Sequence, residues 1–189
     1  AGAWVDRLHR RPILIAADLG RALLVASIPL AALFGRLTLG HLYWEAALAG
    51  VLTVFFDVAY QAFLPTLVTP EQLFEGNSKL GLTGSLAEIV VPGITGLLVQ
   101  LISAPFTLAL DAFSFLGSGL SLTLIRAPEP PPPAPGPQAG VARAIGEGLR
   151  LTWGQPVLRA LALTAAWGSF FGGFYGALYS LYALNVLGL

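Results

Sequence analysis

Carboxylates stand inside segments that are otherwise almost wholly apolar, and they are the residues with which this chain could do chemistry. An ionised side chain near the middle of a bilayer costs about 2.5–3.5 kcal/mol on insertion scales, so it normally faces a partner or a water-filled path. Asp57 lies well inside its apolar run, and Glu88 lies one turn before Pro92 in the next. Both are candidates for binding a proton or a substrate, with structural pairing as the alternative. Asp111, nearer the end of its run, is a third candidate. Asp18 has Arg21 one turn along the same segment, which reads as an intrahelical ion pair. Glu45 sits about one turn inside its run and can reach interfacial water.

Small and polar residues line up with these groups at helical spacing. Gly50, Thr53, Asp57 and Gln61 fall on one face, as do Gly84, Glu88, Pro92 and Gly96; Asp111, Ser114, Ser118 and Ser121; and Gly168, Gly172, Gly176 and Ser180. Each segment therefore carries one face unsuited to lipid. For the glycine row, close helix packing explains the pattern by itself. Pro92 removes a backbone donor inside its segment, and Gly93 and Gly96 add compliance, which predicts a kink, either static or acting as a hinge. No phosphate-binding Gly-rich run is present, and Gly76-Asn77-Ser78-Lys79 does not replace one. His9 and His41 stand apart on opposite sides, the sequence has no cysteine, and neither a metal site nor a nucleophile–base pair can be assembled from them. The reading is of a protein that is not an enzyme, with no cofactor.

Five apolar segments must position these residues: 12–34, 43–64, 80–102, 105–125 and 157–182. With 56% hydrophobic and 11% charged residues and a mean hydropathy of +0.75, the composition is that of an integral membrane protein. A formal net charge of zero offers nothing to nucleic acid. The cations choose the orientation. Arg7, Arg10, Arg11, Lys79, Arg126, Arg143, Arg150 and Arg159 fall in or beside the amino-terminal stretch, the 65–79 connection or the 126–156 connection, while Arg36 falls in the 35–42 connection. Positive charge collects on the cytoplasmic side, so the amino end is expected to be cytoplasmic and residues 35–42 external. Residues 127–139 are too rich in proline for a helix and read as a semi-rigid linker. Beyond them Val141, Ile145, Leu149 and Trp153 recur every fourth residue, with Arg143, Glu147 and Arg150 on other faces. That is the pattern of a short amphipathic helix, lying on the membrane or serving as a connector. Three regions result: 1–126, 127–156 and 157–189.

The opening Gly2-x-x-x-Asp6-Arg7-x-x-Arg10-Arg11 resembles the signature loop between the second and third helices of the major facilitator superfamily, with His9 where glycine is usual. Asp18-Leu-Gly-Arg21, Pro65 followed by Glu75-Gly76-Asn77-Ser78-Lys79, and Pro92-Gly93-Ile-Thr-Gly96 resemble the branch that holds bacterial enterobactin exporters and macrolide efflux pumps. The fourth-helix arginine of many proton antiporters has no counterpart, since no cation lies between Arg36 and Lys79. The resemblance implies an all-α fold in which the five segments are helices three to seven of twelve, and the proline-rich stretch is the loop between two six-helix halves. It also implies that the chain is a fragment opening inside a loop, whose other partners are the remaining helices, the lipid bilayer, protons and a small-molecule substrate. A bacterial inner-membrane exporter of a small amphipathic, siderophore- or drug-like molecule, driven by protons, is the function implied. Gly2, Asp6, Arg7, Arg10 and Arg11 would then help to hold one gate state. An uptake facilitator, or a lipid-translocating or non-transporting scaffold of the same fold, are the alternatives.

Overall fold

The computed structural model describes residues 8–125 and 141–182, and every described element is helical. The order is α1 (Arg10–Leu33), α2 (Leu39–Leu67), a short 3-10 turn (Pro70–Gln72), α3 (Leu73–Ile102), α4 (Ala104–Leu124), α5 (Val141–Gly154) and α6 (Pro156–Tyr182). All but α5 include stretches long and apolar enough to cross a membrane.

Each spanning helix starts before the apolar segment that announced it, and α2 also runs on beyond its end. The 65–79 connection shrinks because α2 carries Pro65 inside its last turn and α3 starts at Leu73. Between them Thr69 and Gln72 form a capping box around Pro70, which needs no N–H at the start of a turn. Polar residues such as Glu75 and Lys79, bonded at 2.7 Å one turn apart, thus extend α3 beyond its apolar stretch. At the other end of α1 the chain turns back through Gly35, whose φ of +64° suits a residue without Cβ. Gly35 N–H donates to Ala32 and Arg36 N–H to Ala31, the paired bonds of a Schellman termination. The α3–α4 junction is a single residue, Ser103, held at φ 72°.

Two compact units emerge, Ala1–Pro135 and Gly136–Leu189. In the first, α1 is central: it packs along both α2 and α4, while α3 touches α4 more lightly. Leu14 near the start of α1, Ala59 and Phe63 near the end of α2, and Leu122 near the end of α4 form the buried cluster. The start of α1 therefore meets the ends of α2 and α4, as it must when successive helices alternate in direction. In the second unit α5 joins α6 through Gln155, whose N–H bonds Leu151 and whose carbonyl accepts from Arg159. Pro156 opens α6 at the position where its lost donor matters least.

Candidate functional site

The packing divides α2 into two faces. Ala59 and Phe63 are buried and Phe55 and Phe56 packed against the core, whereas Gly50, Asp57 and Gln61 are exposed on the other side. Thr53 Oγ1 satisfies itself on Ala49 O at 2.9 Å. Asp57, by contrast, has neither a hydrogen bond nor an ion pair among the described residues. In α3 no residue is buried, and Glu88 likewise has no such partner among the described residues. An added Cβ at Gly84, Gly93 or Gly96 would meet nothing within 4 Å. The helix continues through Pro92 from Leu73 to Ile102.

Asp111 differs. Ser114 Oγ donates to its backbone carbonyl at 2.7 Å and to Oδ1 at 3.3 Å, a local arrangement within α4. Ser121 donates to Gly117 O in the same way. Asp57 and Glu88 thus form one class, open carboxylates on polar faces, and Asp111 another.

Asp18 and Arg21 lie at the heart of the first unit. Asp18 is 1% and Arg21 8% exposed, and Arg21 Nη2 is 2.5 Å from Asp18 Oδ1. The guanidinium carbon also stands 4.3 Å from the Phe56 ring centroid on α2 and 4.6 Å from that of Phe115 on α4. A desolvated cation over one ring gains about 2 kcal/mol, so two rings contribute on the scale of the burial cost itself. Asp18 Oδ2 and Arg21 Nε are buried and have no hydrogen-bond partner among the described residues. The i,i+3 spacing announced the ion pair, but nothing local to Phe56 or Phe115 marks them as its neighbours.

Of the signature residues, Gly2, Asp6 and Arg7 lie outside the described residues, and Arg10 and Arg11 begin α1. Arg11 Nε donates to Leu122 O at 2.8 Å, and its Nη2 to Thr123 O. These are orphan carbonyls in the last turn of α4, where a cation also complements the helix dipole. Arg11 thereby ties the start of α1 to the end of α4. At the opposite end of α1, Ser27 Oγ stands 2.8 Å from His41 Nε2 in the first turn of α2. The reading of His41 as an isolated histidine is corrected: fourteen positions separate the pair, and only the α1–α2 reversal joins them.

In the second unit α5 pairs Arg143 Nε with Glu147 Oε1 at 3.1 Å, while Ile145, Leu149 and Trp153 are exposed on its apolar stripe. Gly168 and Gly172 of α6 stand beside an aromatic ladder in which Trp167 stacks on Phe171 with centroids 5.4 Å apart. Grooves in the first unit include an apolar one of about 310 Å3 between α1 and α4, lined by residues such as Ala22, Pro29, Phe106 and Phe113. A smaller one, of about 240 Å3, lies between Val68, Gln72, Glu75, Gly76 and Lys79. Neither is lined by Asp57 or Glu88.

Comparison with protein families decides the class, because the family model described as Major Facilitator Superfamily matches residues 1–189. The chain belongs to the major facilitator superfamily. It is thus part of a transporter family rather than an enzyme family, and its apolar helices are membrane spans of a multi-pass protein. Among curated proteins it is similar to the multidrug efflux pump Tap of Mycolicibacterium fortuitum, at 35% identity over 171 residues. That match covers 86% of this chain and 41% of the efflux pump, so the chain spans less than half the length of this relative. No solved structure matches.

Proposed function

We propose that this chain contributes helices three to seven of a twelve-helix bacterial exporter that moves a small amphipathic molecule outward in exchange for protons. Export is favoured over uptake by the 35% identity to a multidrug efflux pump. One observation carries the coupling half of the reading: Asp57 and Glu88 sit on membrane-crossing helices with no ion pair or hydrogen bond among the described residues, on faces not used for packing. A carboxylate that serves structure needs a local cation or donor, as Asp18 and Asp111 have; one that serves transport must stay open to a proton or substrate. Alternating access would present the α2 and α3 faces to each side of the membrane in turn. The amino end and the 126–140 connection would be cytoplasmic, as the cations suggest.

The test is efflux by the whole transporter in proteoliposomes across a pH range, normalised to folded protein, for Asp57→Asn and Glu88→Gln. An amide keeps size and polarity but cannot titrate, so proton-driven efflux should fall and lose its pH dependence while folding is little affected. A parental pH profile in both variants removes these residues from coupling. Loss of yield with normal transport per folded molecule assigns them to structure.

A further inference from the structure

We propose that Arg21 is a positioning residue: through the Phe56 ring it sets the rotation of α2, and with it the direction of the face that carries Asp57. The functional meaning rests on the reading of Asp57 as a coupling group; the positioning itself does not.

Three features at one level of the unit carry the inference. The guanidinium of Arg21 stands over rings from two other helices, Phe56 at 4.3 Å and Phe115 at 4.6 Å, and is tethered on its own helix by Asp18. Phe56 is further stacked on Tyr60, one turn along α2, at 5.8 Å and 15°. Glycines also let α1 approach its two neighbours closely here. A Cβ on Gly20, beside Arg21, would come within 2.6 Å of Leu52 Cδ1, one turn before Phe56 on α2. A Cβ on Gly119, one turn beyond Phe115 on α4, would stand 3.7 Å from Asp18 Cβ.

Phe56 and Asp57 are consecutive in a helix, so their side chains leave the axis about 100° apart. Fixing the azimuth of one fixes the other. In lipid no hydrophobic force holds a helix at a given rotation, because acyl chains are as apolar as its side chains; specific interhelical contacts decide it. An ion pair whose sole task is to neutralise Arg21 needs Asp18 and no rings. Contact with two rings exceeds that need, and what it adds is orientation.

A direct test uses the whole transporter with any cysteine outside residues 1–189 replaced, these residues containing none. A single cysteine replaces Gln61, on the Asp57 face, and its rate of labelling by a water-soluble thiol reagent is measured in native membranes. The readout is compared in Phe56→Leu, which leaves the ion pair intact, and in the charge-neutral double variant Asp18→Asn with Arg21→Met. Both should change the labelling rate several-fold per folded molecule and in the same direction. Arg21→Lys, which keeps a cation at the rings, should restore most of the parental rate. Parental labelling in both variants overturns the proposal. So does a change confined to the double variant, which would reduce Arg21 to a counter-ion, or failure of Phe56→Leu to insert and fold, which would make the ring general packing. The outcomes separate from those of the coupling test: a shifted labelling rate beside a parental pH profile in Asp57→Asn sinks coupling and leaves the positioning role standing.

Discussion

Two arginines of α1 show how one residue type serves two ends according to depth. Arg11, at the first turn, reaches across to the last carbonyls of α4, where water is near and the gain is a pair of charge-assisted hydrogen bonds. Arg21, near the middle of the helix, is buried and is held by a carboxylate and two rings instead. Arg11→Ala leaves the α4 carbonyls of Leu122 and Thr123 without this donor, a loss of about 1.5–3 kcal/mol for a bond to a charged group. The expected outcome is a lower melting temperature in detergent, measured on the whole transporter, with Arg11→Lys recovering part of it. Unchanged melting would mean that the clamp contributes nothing. Asp6→Asn and Arg7→Ala belong to a different class, expected to impair transport without abolishing insertion because they would bias a gate between states. Transport at the parental rate in both removes the gating role. At this scale the sequence was partly legible. The Asp18–Arg21 spacing pointed to their pairing, since i,i+3 contacts are local, whereas Ser27–His41 and the rings around Arg21 depend on which helices meet.

At the scale of elements, the apolar runs located every spanning helix but set their ends too tightly. The reason, clearest at the helix starts, is physical: hydropathy reports the stretch inside hydrocarbon, whereas a helix extends until capping or a turn stops it, as at the Thr69–Gln72 capping box. The polar faces of α2 and α3 were readable from period alone, while the choice of α1 as central helix was not. That role follows from small residues at close approaches, Gly20 against Leu52 and Gly119 against Asp18. Gly20→Val is therefore expected to displace the Leu52 side chain and overpack the α1–α2 contact, since its Cβ would already overlap Leu52 Cδ1, at about 1–3 kcal/mol. Gly50→Val, where nothing lies within 4 Å of a Cβ, serves as the control within the same unit. Thermal melts of the two variants side by side check the contrast, and equal losses would show that the Gly20 contact is not specific.

Superfamily membership and five spanning helices establish a multi-pass transporter chain. Orientation rests on the cations, eight of which gather on one set of connections while Arg36 alone sits on the other. A single cysteine at Thr38 should accordingly react with an impermeant reagent added from outside; labelling only from the cytoplasmic side inverts the topology. Substrate and coupling were the least legible features, because open faces of α2 and α3 acquire meaning only from what they meet across the path. The most direct measurement of the central claim is transport of amphipathic drug-like molecules by the whole protein in everted membrane vesicles, with a proton gradient imposed and then collapsed by an uncoupler. The account predicts accumulation inside the vesicles while the interior is acidic and its loss when the gradient is removed. Accumulation indifferent to the uncoupler, or none in vesicles that contain folded protein, would contradict proton-driven export.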